Sequence, residues 1–159
     1  MIKNVLTVTP DTTVAQALEI FDINDIRSVP VVDETGKLVG LFGFRHVLLA
    51  LLPKSATMED GLQRLDFVIG AAPGIAKRLK KLKPMKVADI MDKNPMVLHK
   101  DTATWEALRV MALHGSPISI VDEKDGKFVG MISRQTLLAE LHRLLEEMEK
   151  DGEEDDDAA

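Results

Sequence analysis

The 159 residues are 45% hydrophobic and contain no cysteine, so the chain can bury a core and is not wholly disordered, while disulfides, thiol nucleophiles and thiolate metal sites are excluded. The formal net charge of −6 is local, because Glu146–Asp157 holds nine acids and one lysine and leaves a body of 17 acids and 19 bases. No run approaches about 18 apolar residues, so a soluble, cytoplasmic protein without signal peptide or membrane span is expected.

The chain opens with a short extended run, "NVLTVT" from Asn4, in which β-branched residues roughly alternate. Thr12 and Thr13 then offer hydroxyl caps, and Thr13 with Gln16 has capping-box spacing. Val14, Ala17, Leu18 and Phe21 recur at helical spacing. A β-hairpin is predicted over "VPVVDETGKLVGLF" from Val29, followed by a helix over Arg45 to Leu52.

Residues 53–86 are too long for an ordinary turn. Thr57 can cap a short helix reaching Leu65 or Phe67, ended near Gly70. Pro73 opens a second helix, "GIAKRLKKL", that Pro84 stops. Its apolar side carries Ile75, Leu79 and Leu82, and Lys77, Arg78, Lys80, Lys81, Lys83 and Lys86 cluster within and just after it. Three readings stay open: a solvated face, an attraction to the acidic tail within or between chains, or capture of an anionic ligand, lipid or nucleic acid. The stretch lacks the interleaved aromatics of a base-stacking surface and the bulky apolar side of a membrane helix, so the solvated face comes first.

From Pro95 the same order returns. "PMVLHK" is extended, Asp101 and Thr102 can cap, and Ala107, Leu108, Met111 and Ala112 give the helical stripe. The hairpin "ISIVDEKDGKFVGMI" from Ile118 has a strong turn at Asp125-Gly126, and a helix follows from Arg134 to about Glu147. "TPDTTVAQAL" matches "HKDTATWEAL", and "VVDETGKLVG" matches "IVDEKDGKFVG"; the slips fall in turns. The chain is thus an α/β (α+β) protein built as β-α-β-β-α written twice. One such unit cannot bury both its sheet and its helix stripes, so the copies are expected to pack sheet to sheet.

These phrases, with the lead-in "ADIM" at Ala88 to Met91, resemble a pair of CBS (cystathionine β-synthase) domains. The resemblance implies a pseudo-twofold pair: repeat 1 over residues 1–52, a helical insertion over 53–86, repeat 2 over 87–147 and an acidic disordered tail over 148–159. It implies a free-standing regulatory protein, a homodimer, that binds AMP, ADP, ATP, S-adenosylmethionine or a related phosphorylated small molecule in the inter-repeat cleft. Occupancy would modulate a partner protein whose identity the sequence does not give. No cofactor is required, no enzyme motif such as a phosphate loop or HExxH is present, and no catalytic residue is assigned.

Nucleotide-binding relatives follow the glycine of the second strand with two apolar residues, a threonine or serine, two variable residues and an aspartate that takes the ribose hydroxyls. Here the first copy reads Gly40-Leu41-Phe42-Gly43-Phe44-Arg45-His46, and the second reads Gly130-Met131-Ile132-Ser133-Arg134-Gln135-Thr136. Histidine and threonine replace the aspartate, so neither copy carries the bidentate ribose acceptor. The candidate ligand residues are Arg27, Val29, Pro30, Gly43, Arg45, His46, Ile118, Ser133, Arg134 and Thr136. The arginines suit phosphate by their forked geometry, although a solvated role is the plainer one for Arg45 and equally open for Arg27. The missing aspartates motivate an alternative, a structural or protein-interaction module with degenerate, non-binding clefts. His142 and Glu146 lie one helical turn apart, but two groups do not make a metal site, and none is assigned.

Overall fold

The computed structural model describes residues 5–52 and 72–155 as small sheets and helices, an α+β fold. Contacts divide the chain into two compact units, one of Leu6–Pro95 and a second that joins Val5 to the chain from Met96 onward.

In the first unit, helix α1 (Val14–Asn24) begins at the expected capping box: Gln16 N–H donates to Thr13 Oγ1 at 3.2 Å and Thr13 N–H to Gln16 Oε1 at 3.0 Å. Its next open donors are met from far along the chain, Val14 N–H by the Met85 carbonyl at 2.9 Å and Ala15 N–H by that of Lys83 at 3.0 Å. Strands β1 (Ser28–Val32) and β2 (Leu38–Gly43) pair antiparallel with Val29 opposite Phe42 and Pro30 opposite Leu41. The turn between them is tied by Asp33, whose Oδ1 accepts from the Thr35 hydroxyl at 2.6 Å and from the N–H groups of Thr35 and Lys37. The Thr35 hydroxyl bond, ahead of those backbone donors, holds the Asp33 carboxyl below its usual range.

Helix α2 (Phe44–Leu51) follows β2 directly, and the basic helix α3 (Ala72–Leu82) ends before Pro84, as the spacing predicts. Leu82 joins Val14, Ala17, Phe21, Val29, Val31, Phe42, Val47 and Val87 in one buried core, where the rings of Phe21 and Phe42 stack at 5.7 Å. The first predicted strand is reduced to a single parallel bridge between Val8 and Val31; Met1 to Asn4 lie outside the described residues, as does the short helix expected from Thr57.

The lead-in that belongs by sequence to the second repeat folds with this first unit. Val87 is fully buried in its core, Ile90 and Met91 pack on it, and Leu41 exchanges two backbone bonds with Asp92 at 2.9 Å each. This crossing explains Gly40: a Cβ there would sit 2.5 Å from Met91 Sδ and 2.8 Å from the Asp92 carbonyl oxygen.

In the second unit, strand β3 (Val97–His99) runs parallel to β4 (Ile118–Val121), which pairs antiparallel with β5 (Phe128–Ile132). Gly126 makes the expected turn at φ 72°, a conformation glycine adopts without steric cost. Helix α4 (Thr104–His114) corrects the expected caps. Its N-cap is Ala103, which bonds through no side chain, and Thr102 Oγ1 instead accepts from His99 N–H at 3.0 Å. The core is Leu98, Ala107, Val110, Met111, Ile118, Ile120 and Leu137.

Helix α5 (Arg134–Asp155) runs past the end expected near Glu147. Glutamate and lysine are good helix formers, and Arg143 holds Glu140 at 2.6 Å and also pairs with Glu147 one turn on, so like charge alone does not stop the helix. The acidic stretch up to Asp155 therefore stands on a helix, and Asp156 to Ala159 lie outside the described residues.

Candidate functional site

Both repeats place their candidate residues where the hairpin turns into the second helix. In the first, Gly43 is the N-cap of α2 and has no side chain to offer. The ring of His46 supplies what is missing: its Nδ1 accepts from Gly43 N–H at 3.0 Å, so Nδ1 is unprotonated and the neutral ring carries its hydrogen on Nε2. Phe44 N–H donates to the Arg27 carbonyl at 2.8 Å, which fastens the residue before β1 to the start of α2. The Arg27 and Arg45 side chains are exposed.

The second repeat solves the same problem with hydroxyls. Thr136 Oγ1 accepts from Ser133 N–H at 2.6 Å and donates back to the Ser133 carbonyl at 2.9 Å, while Thr136 N–H reaches Ser133 Oγ at 3.3 Å. Arg134 N–H donates to Ser116 Oγ at 3.2 Å, and the guanidinium is exposed. At both positions, then, the side chain that stands in place of the family's aspartate closes a helix end. Those bonds occupy His46 Nδ1 and most of the hydrogen-bonding capacity of Thr136.

Not every candidate faces outward. Val29 and Ile118 are 0% and 2% exposed and belong to the two cores, so they shape the sheets from behind. Pro30 is buried between Val29 and Val31 in sequence, and the strand alternation turns it to the other face.

Beside Arg27 lies a pocket of about 260 Å³ that the sequence did not point to, lined by Leu18, Phe21, Asp22, Asp25, Ile26 and Phe44 as well. It forms because α1 ends on Asp25 in the left-handed region, at φ 51°, and turns the chain back toward β1. Phe44, an aromatic directly after Gly43, is the feature of the sequence that marks the place, and it is 40% exposed. Among the described residues no three His, Cys, Asp or Glu side chains gather as a metal site, and no helix is long and apolar enough to cross a membrane.

The CBS domain sequence model matches residues 1–53 and 87–143. A CBS domain-containing protein of Dictyostelium discoideum is 32% identical over 150 residues, covering 92% of this chain and 90% of its own. The chloroplastic CBS domain-containing protein CBSX1 of Arabidopsis thaliana is 34% identical over 130 residues, 80% of this chain, which spans 55% of that protein. The crystal structure of CBSX2 in complex with AMP superposes with a TM-score of 0.64 at 26% identity, covering 89% of this chain and 90% of the other. A hairpin-to-helix junction written twice and a family match over most of the chain make this protein a member of the CBS domain family.

Proposed function

We propose that this chain is a regulatory module that binds an adenine nucleotide, or a related phosphorylated small molecule, and conveys its presence to a partner protein. The observation that carries the reading is the likeness to CBSX2, a CBS-pair protein crystallised with AMP, over 89% of the chain. The local chemistry agrees with it. Helices α2 and α5 each carry an exposed arginine in their first turn, Arg45 or Arg134, and a helix start with a cation beside it attracts phosphate. A ligand acts on a partner only through its different affinity for two states of the module.

The module works as a homodimer in this reading. Helix α5 carries Leu138, Leu141, Leu145 and Met148 along one exposed stripe, and α4 exposes Trp105 and Leu113, an apolar area that suits a second copy. Thermal melting with AMP, ADP, ATP and S-adenosylmethionine tests the binding. At least one of them raises Tm at millimolar concentration, because a ligand selective for the folded chain must stabilise it. No shift with any of them rejects adenosine sensing.

One observation favours a second reading, an interaction module whose ligand positions are structural. His46 and Thr136 both spend their acceptors on helix caps. On that reading the melting temperature ignores all four ligands, and the chain is isolated from cells without a nucleotide.

A further inference from the structure

The two repeats present different chemistry on the sheet face that turns away from their own cores. In β4, Ile118 and Ile120 point into the second core, so Ser119 between them points to the opposite face. Met131 stands across from Ser119 on β5 and Val97 across from it on β3. Ser133, two residues beyond Met131 and just past the end of β5, continues that face by the strand alternation.

Ser119 is 2% exposed, and its Oγ has no hydrogen-bond partner among the described residues. A buried hydroxyl without a partner is costly, and such groups mark places where something else is met. The first repeat has nothing of the kind. Pro30, Leu41 and Gly43 occupy the corresponding face, and none of these side chains can donate or accept a hydrogen bond.

We infer that Ser119 is a specificity residue of the second repeat, hydrogen-bonding the exocyclic polar group of a nucleobase, and that the second repeat is the one that recognises the base. This rests on the nucleotide reading above. A base fits better than phosphate at this spot because a lone neutral hydroxyl flanked by Val97 and Met131 offers a hydrogen bond and apolar contact but no charge. Met131, unbranched and flexible, is the neighbour able to swing aside as a flat ring enters.

The test is titration calorimetry of the full chain and its Ser119→Ala variant with AMP and with purine riboside 5′-monophosphate, which lacks the amino group. The wild type is expected to prefer AMP, and S119A to bind AMP about tenfold more weakly while barely changing for the analogue. S119A without ligand melts no lower than wild type, since its hydroxyl gives up no partner. If wild type binds neither nucleotide at millimolar concentration, the nucleotide reading and this assignment fall together. If it binds AMP and S119A binds equally well, or loses both ligands equally, only the assignment falls. A clear drop in the melting temperature of ligand-free S119A would make the hydroxyl structural and also overturn it.

Discussion

In the first repeat the hairpin packs Phe42 against Phe21 and closes its second helix with a histidine ring; in the second, Ile132 takes the place of Phe42 and two hydroxyls close the helix. The same sequence phrase thus builds an apolar, aromatic junction once and a polar one once. The comparison teaches that duplication preserves the backbone solution, a strand running into a capped helix, while the side chains that execute it are free to diverge. On the proposal made above, divergence at those few positions would separate a ligand-reading copy from a purely structural one.

The largest effect is expected from Phe42→Ala, which opens a fully buried position and costs about 3–5 kcal/mol. Ile132→Ala at the matching, half-buried position costs less, about 2 kcal/mol. Urea denaturation of both variants measures the contrast, and equal losses would break it. Next comes Gly40→Ala, which forces Met91 and the Asp92 carbonyl apart and is expected to cost about 1–3 kcal/mol. Loss of stability there would show that the lead-in to the second repeat stabilises the first.

Much of this was legible in advance. The Thr13–Gln16 box, the hairpins, the helix over "GIAKRLKKL" and its stop at Pro84 all follow from local rules, in which spacing decides the outcome within a few residues. The docking of Val87–Asp92 into the first unit was not legible, because a bond such as Leu41 to Asp92 joins residues that no periodicity relates. The end of α5 differs from the expected one for another reason. A run of acids reads as solvated chain, but ion pairs from Arg143 and the helical preference of glutamate carry the helix onward. At the site, the sequence identified Gly43, His46 and Thr136 as departures from the family pattern, and only the coordinates reveal that the His46 and Thr136 side chains each cap a helix. Ser119 is not legible in this way, because a serine inside an apolar strand gives no sign of whether its hydroxyl finds a partner.

Smaller effects sharpen the comparison at the caps. His46→Ala and Thr136→Ala each remove one side-chain acceptor from a helix start and are expected to cost about 0.5–2 kcal/mol in thermal or urea melts. Thr136→Asp keeps an acceptor for Ser133 N–H and adds a second oxygen. It is expected to retain stability and to tighten AMP binding more than His46→Asp does, since the second repeat already presents Ser119 and Ser133. A larger gain from His46→Asp in calorimetry would reverse the roles assigned to the two copies.

The smallest effect concerns pH. The Asp33 carboxyl is held low in the folded chain by the Thr35 hydroxyl first and by backbone donors after it. Its contribution to the first hairpin is present above the unfolded carboxyl value of about 3.9 and is lost as the pH falls through the lower folded one. Asp33→Asn is therefore expected to lower stability at neutral pH, where that contribution is present, and to flatten the acid limb below about pH 4, so that the two profiles converge in acid. An unchanged acid limb would contradict this.

The most direct measurement is an amide-resolved NMR titration of the full chain with AMP. Saturable shifts are expected at Ser119, Met131, Ser133 and the first turn of α5, with the Arg27 to His46 segment of the first repeat responding less. Shifts confined to the first repeat, or none at millimolar AMP, would contradict that expectation.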